Sequence, residues 1–156
     1  MKEIFKQKRP LIGAGIFSTD QFVARRIFQC EPDWLWICLE HSPWSFESIA
    51  PITVEARNQG IMPIVRVGWN EPDLIKRAYD IGAYGVMVPQ VDSASEAEQA
   101  VKYARYPPVG ERGVAPWFAG YVGLNLQDVF DKDKNENLLL LQMESLESLS
   151  NIDEIL

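Results

Sequence analysis

Residues 34–39 read Trp-Leu-Trp-Ile-Cys-Leu, and Glu40 and His41 follow them directly. A short run that is apolar at every position is typical of a strand buried on both faces, as in a parallel sheet. Comparable runs of strand-forming residues occur at 11–17, 62–67, 85–91 and 137–143. These runs predict the strands of one sheet.

Amphipathic stretches separate the apolar runs and begin with helix-capping residues. Ser18, Thr19 and Asp20 all offer capping side chains for one helix, Pro72 lies in the first turn of another, and Ser93 begins an acidic one. We expect the remaining helices at 46–58, at 125–130 and from Ser145 onward. Strands that alternate with helices every 25 residues or so predict βαβ units and a parallel sheet.

Six strands are expected in all, because residues 112–115 could form a further short strand. An open, flavodoxin-like sheet is one arrangement of such units, and a closed α/β fold of the (β/α)8 TIM-barrel type is the other. Eight units would need about 200–250 residues. We therefore expect residues 1–156 to form a single barrel domain that covers about the first six β/α units and stops before strands seven and eight.

The charge and the cysteine content exclude several classes of protein. The formal net charge is −7, so binding to nucleic acid or to an anionic membrane surface is not expected. The two cysteines, Cys30 and Cys38, make no disulfide framework and indicate reduced thiols in a cytoplasmic protein. No apolar run is long enough to cross a membrane.

Polar side chains follow several of the predicted strands at the end where parallel α/β folds bind ligands. His41 is the only histidine, and histidine is the readiest general base near neutral pH. Arg66 lies within an apolar strand, so its cation must meet either a buried carboxylate such as Glu40 or a bound ligand. Gln142 and Glu144 point to the same side of the last strand, where a carboxylate suits a hard divalent cation.

The acidic stretch 131–137 resembles the start of a calcium-binding loop. Its sixth position is Glu136 where such loops carry glycine, and its twelfth is Gln142 where they carry glutamate. We therefore predict a solvated turn there.

Five segments, taken together, resemble the HpcH/HpaI aldolases in order and spacing. They are residues 34–41 (WLWICLEH), 63–72 (PIVRVGWNEP), 85–91 (GVMVPQV), 105–114 (RYPPVGERGV) and 141–144 (LQME). This family consists of metal-dependent pyruvate aldolases. The resemblance implies a (β/α)8 barrel that usually assembles as a hexamer, so a homo-oligomer is expected.

The resemblance also implies roles for individual residues. His41 matches the catalytic acid/base, and Arg66 matches the catalytic arginine that binds the oxygens of pyruvate. Gln142 matches a glutamine expected to bind substrate, and Glu144 a carboxylate that binds the metal. Asp80 matches an aspartate at the subunit interface, near the site of a neighbouring subunit. The implied cofactor is a divalent cation, Mg²⁺ or Mn²⁺ first, with Co²⁺ or Zn²⁺ as alternatives.

Two features depart from the family pattern. Cys38 occupies the position of the aspartate that partners the catalytic histidine. The second metal-ligating aspartate of the family follows strand seven, beyond the six strands predicted here. With a thiol at position 38 we expect slow catalysis at best, and Cys38→Asp tests this expectation.

The expected function is a class II aldolase that cleaves a 2-keto-4-hydroxy acid to pyruvate and an aldehyde. A non-catalytic, aldolase-like subunit or keto-acid-binding protein is the alternative that the two departures favour. A lyase acting on coenzyme A thioesters is a third possibility, although a chain this acidic offers no evident site for the nucleotide.

Overall fold

The computed structural model describes residues 9–156, in which five strands alternate with helices. The strands are β1 (Gly13–Ile16), β2 (Trp34–Cys38), β3 (Met62–Arg66), β4 (Gly85–Val88) and β5 (Leu138–Leu141). The helices are α1 (Gln21–Phe28), α2 (Phe46–Asn58), α3 (Pro72–Asp80), α4 (Ala94–Ala104), α5 (Leu126–Asn135), α6 (Leu146–Ser150) and α7 (Ile152–Ile155). No helix in this part of the chain is both long and apolar enough to cross a bilayer.

Side-chain caps begin the helices where the sequence predicts them. The Asp20 carboxylate accepts hydrogen bonds from the first main-chain N–H groups of α1. Ser93 and Glu96 form a reciprocal capping box at the start of α4, which satisfies two main-chain donors that the helix itself leaves unpaired. Gly60, with φ of 75°, ends α2 in a left-handed conformation that costs glycine little.

The order of the strands decides between the two arrangements left open by the sequence. Every strand pairs in parallel with the next strand along the chain, giving the order β1-β2-β3-β4-β5. A flavodoxin-like sheet reverses its strand order at one point, and this sheet does not. The fold is therefore a parallel sheet of the (β/α)8 TIM-barrel type.

The core lies between this sheet and its helices. Every residue of β3 is buried, and the fully buried side chains of the central strands include Leu35, Ile37, Val65 and Val86. Burying one such aliphatic side chain contributes about 1.5–3 kcal/mol to folding. The apolar runs therefore hold the sheet in place, and the polar residues that follow them lie at the C-terminal ends of the strands.

The strand predicted at residues 112–115 is wrong, so the described chain has five strands and covers five β/α units instead of six. The main-chain N–H of Arg112 bonds to the carbonyl of Arg105, which folds this segment back onto the end of α4. The Arg112 side chain is buried between the rings of Tyr79 and Tyr106, where it pairs with Asp133. This pairing draws the segment into the helix layer.

The solvated turn predicted at 131–137 is also wrong. Helix α5 continues to Asn135, and Asp133 is buried as the partner of Arg112. Strand β5 is half-buried throughout, although its four leucines predicted a buried strand, because it lies at the edge of the described sheet.

Candidate active site

The strand ends place two groups of polar side chains at one edge of the sheet. Cys38 at the end of β2 is the register partner of Arg66 at the end of β3. Main-chain hydrogen bonds continue past both strands, from Leu39 N–H to the carbonyl of Arg66 and from Val67 N–H to that of Met87. The residues that follow β2 and β3 are therefore held by the sheet.

Arg66 is buried and lies among an anion, a sulfur atom and an aromatic ring. Its Nε lies 3.0 Å from Glu40 Oε2, and its Nε and Nη2 donate to Cys38 Sγ at 3.4 and 3.1 Å. Its Cζ lies 5.0 Å from the centre of the Trp36 ring. The buried carboxylate expected as one partner of Arg66 is therefore Glu40. Nη1 makes no hydrogen bond to any residue of 9–156 and remains available to a ligand.

His41 lies next to this group with its side chain 71% exposed. Its Nε2 is 3.7 Å from Glu40 Oε1, and its main-chain N–H donates to Cys38 Sγ at 3.3 Å. The carboxylate that faces the imidazole is thus Glu40, whereas Cys38 contacts the main chain of His41. An exposed imidazole beside a buried cation can exchange protons with a bound substrate.

The second group of polar residues follows the ends of β4 and β5. Strand β5 is two strands away from β3, which carries Arg66, and therefore lies about 10 Å from it across the sheet. Gln142 Nε2 donates to Glu144 Oε2 at 2.6 Å, and the main-chain N–H of Gln90 donates to Glu144 Oε1 at 3.1 Å. Gln90 has a φ of 53°, a left-handed conformation that side chains rarely adopt. Its role escaped the sequence analysis because a main-chain donor leaves no signal in residue type.

The atoms of this second group suit a hard divalent cation. The Glu144 carboxylate is exposed, and Gln142 Oε1 is buried with no hydrogen-bond partner among the described residues. Such an unpaired carbonyl oxygen next to a carboxylate can accept a cation or its bound water. Within residues 9–156, no group of three or more His, Cys, Asp or Glu side chains is arranged so that it could hold a metal ion. Glu144 and Gln142 thus supply only part of a complete ligand set.

Asp80 does not join either group. It ends α3, which runs antiparallel to the strands and therefore brings Asp80 to the opposite end of the sheet. There it lines a groove of about 790 Å³ between α2, α3 and the segment around Trp117 and Tyr121. Its Oδ1 is buried without a hydrogen-bond partner among residues 9–156, and burial raises the pKa of Asp80 to about 6 against the opposing charges of Arg112 and Lys76.

Comparison with known proteins agrees with this fold. The family model described as HpcH/HpaI aldolase/citrate lyase matches residues 15–156. A 4-hydroxy-2-oxo-heptane-1,7-dioate aldolase of Escherichia coli is 33% identical over 156 residues, which are 99% of this chain and 60% of that protein. A 5-keto-4-deoxy-D-glucarate aldolase of Escherichia coli is 37% identical over 123 residues, covering 79% of this chain and 48% of that protein.

A solved structure gives the same result. The crystal structure of an HpcH/HpaI aldolase from Desulfitobacterium hafniense superposes with a TM-score of 0.84 at 27% identity, over 94% of this chain and 57% of that chain. This chain thus spans about half to three fifths of the length of the proteins it resembles. The family match extends across nearly all of the chain. The resemblance expected from the five sequence segments is confirmed, and the chain belongs to the HpcH/HpaI aldolase/citrate lyase family.

Proposed function

We propose that this protein is a divalent-metal-dependent aldolase that cleaves a 2-keto-4-hydroxy acid to pyruvate and an aldehyde. The observation that carries this proposal is the placement of His41, Arg66 and Glu144 at one edge of a parallel sheet. Active sites of barrel enzymes lie at this edge. The identity to two aldolases supports the same reaction.

Arg66 would bind the keto acid and stabilise the charge that develops on it. Its guanidinium has one free nitrogen, Nη1, while Glu40 and Cys38 hold the other two in place. The N–H groups of Nη1 can donate charge-assisted hydrogen bonds to the oxygens of a carboxylate or an enolate. Because the guanidinium is already oriented, it does not have to reorganise during the reaction.

His41 would act as the general base. It takes the proton of the substrate's 4-hydroxyl, the bond between C3 and C4 breaks, and its electrons form the enolate of pyruvate next to Arg66. Protonation at C3 then gives pyruvate. The exposed imidazole of His41 can reach a substrate that Arg66 holds by its carboxylate.

Glu144 would ligate the metal, and Gln142 would orient that carboxylate while binding the substrate. When bound, the cation supplies positive charge that stabilises the keto-acid oxygens. Oxygen ligands favour Mg²⁺ or Mn²⁺, with Co²⁺ or Zn²⁺ as alternatives.

We also propose that the groove at Asp80 is covered by a second copy of this chain. Trp117 and Tyr121 line it and expose 75% and 72% of their surface, which is typical of an interface. The family resemblance implies a homo-oligomer, commonly a hexamer. Sedimentation velocity of Trp117→Glu should show a smaller species than the unmodified protein. Identical sedimentation of the two proteins would contradict the proposed interface.

The aldolase proposal is tested by measuring the release of pyruvate in an assay coupled to lactate dehydrogenase. The first substrates to try are 4-hydroxy-2-oxo-heptane-1,7-dioate and 5-keto-4-deoxy-D-glucarate, each with Mn²⁺ and again with excess EDTA. We expect release that depends on metal and is lost in Arg66→Ala. If pyruvate binds but neither substrate nor other 2-keto-4-hydroxy acids are cleaved, the protein binds keto acids without catalysis.

A further inference from the structure

We propose that Glu40 is the positioning residue of this site, with one carboxylate oxygen holding Arg66 and the other holding the His41 ring. Its importance for turnover rests on the proposed aldolase function. Its two contacts can be tested without any activity.

Glu40 pairs with Arg66 inside the protein. The side chains of both residues are 10% exposed, and Oε2 lies 3.0 Å from Nε. Oε2 accepts no aligned hydrogen bond from any residue of 9–156. The contact with Arg66 is therefore an ion pair, and Oε2 can still accept a hydrogen bond. Because an unpaired buried charge is costly, each of these side chains holds the other in the site.

Glu40 also faces His41. Its Oε1 is 3.7 Å from Nε2, and no other carboxylate oxygen of residues 9–156 lies within 4.0 Å of a nitrogen of the ring. The Sγ of Cys38 accepts hydrogen bonds from the main-chain N–H of His41 and from the guanidinium of Arg66, and none from the imidazole. A carboxylate beside Nε2 favours the proton on that nitrogen, which leaves Nδ1 free to accept the substrate proton.

Glu40 therefore connects the base to the residue that binds the keto acid. The charged groups near the imidazole are Glu40 itself and, behind it, Arg66. Without the Glu40 carboxylate, the protonated ring would lose its nearest anion, and the Arg66 cation would be left uncompensated beside it. The ring and the guanidinium would then no longer be held in a fixed relative orientation.

The direct test is an NMR relaxation measurement of how firmly the His41 ring is held. His41 is the only histidine of the chain, so its ring resonances need no assignment in a tag-free protein. Glu40→Gln removes the charge at nearly constant volume. Glu98→Gln, at an exposed position of α4, is the matched control. From ¹³C relaxation of the ring C–H groups, we expect the ring order parameter to fall by about 0.2 or more in Glu40→Gln and to stay unchanged in Glu98→Gln.

A second variant keeps the test decisive if Glu40→Gln fails to fold. Glu40→Asp preserves the charge next to Arg66 but draws the oxygens back from the His41 ring by one methylene. It should therefore fold and give a smaller fall in the same order parameter. A ring order parameter that matches Glu98→Gln in every folded Glu40 variant would overturn the proposal.

A kinetic measurement connects this contact to turnover. Proton exchange at the methyl group of pyruvate in D₂O, with Mn²⁺ present, needs no aldehyde. We expect Glu40→Gln to lower the exchange rate constant about tenfold and Glu40→Asp to restore part of it. Absence of exchange in the unmodified protein would refute the aldolase proposal, whereas the NMR relaxation measurement would still decide the role of Glu40.

Discussion

Cys38 Sγ lies 3.1 Å from Arg66 Nη2, and the two residues are register partners in neighbouring parallel strands. The same sulfur accepts from Arg66 Nε and from the main-chain N–H of His41. The Cys38 side chain thus orients the Arg66 guanidinium and the main chain of His41. The side chain that contacts the imidazole of His41 is Glu40. Sulfur is a weak acceptor, and a carboxylate in its place would form stronger, charge-assisted bonds with the same donors.

We expect Cys38→Asp to raise the rate of pyruvate formation about tenfold, because a carboxylate would hold Arg66 and the start of the His41 segment more firmly. Steady-state kinetics with Mn²⁺ measure the effect. Cys38→Ser, similar in size but uncharged, is the control and should remain slow. An unchanged rate in Cys38→Asp would mean that no carboxylate is missing at position 38.

Metal affinity should depend on Glu144. We expect Glu144→Gln to weaken Mn²⁺ binding by more than about tenfold, because a neutral amide replaces the anionic ligand. Free Mn²⁺ can be counted by electron paramagnetic resonance during a titration. Glu147→Gln removes an exposed carboxylate three residues further on and should bind as the unmodified protein does. Equal affinities of the two variants would exclude Glu144 as a ligand.

Asp80 makes stability depend on pH. Burial raises the pKa of Asp80 from 3.8 to about 6, so the folded protein disfavours the carboxylate. The penalty is absent below about pH 4, grows as the pH rises and is complete above about pH 6. We expect Asp80→Asn to raise the free energy of unfolding by up to about 3 kcal/mol at pH 7.5 and by about half as much at pH 5.

Urea denaturation at the two pH values measures this gain. Asp73→Asn is the matched control, because Asp73 lies exposed in the first turn of the same helix, α3. It should give no gain at either pH. A gain in Asp80→Asn that is equal at pH 5 and pH 7.5 would show that titration of the carboxyl is not its cause.

The buried pair of Arg112 and Asp133 should be sensitive to the loss of one partner. Both residues are less than 5% exposed, and Arg112 Nε and Nη1 have no hydrogen-bond partners among residues 9–156. We expect Asp133→Asn to lower the free energy of unfolding by about 3–5 kcal/mol, because the Arg112 cation stays buried without an anion. Urea denaturation at neutral pH measures the loss.

Two further variants show whether the loss of stability comes from the unpaired charge of Arg112. Asp131→Asn removes an exposed carboxylate from the same helix and should change stability by less than about 0.5 kcal/mol. The double variant Arg112→Met with Asp133→Leu removes both charges and should be more stable than Asp133→Asn. A double variant as unstable as Asp133→Asn would contradict the argument from an unpaired charge.

Local sequence patterns predicted most of the secondary structure. Apolar runs such as 34–39 placed the strands, and the capping residue Ser93 marked the start of α4. The predictions at 112–115 and 131–137 were wrong because each segment is governed by a residue far along the chain. Arg112 and Asp133 are 21 residues apart and become partners only when the helix layer packs.

What this sequence determined by itself is therefore the alternation of buried strands with capped helices, together with the polar residues that end each strand. Burial, periodicity and capping act between near neighbours in the chain, so the residue types reveal them. Only the tertiary structure decided that the strand order never reverses, that Glu40 rather than Cys38 faces His41, and that the N–H of Gln90 holds Glu144, 54 residues away. These relationships depend on the register of neighbouring strands and on the direction of side chains and N–H groups at the edge of the sheet, which no local pattern encodes.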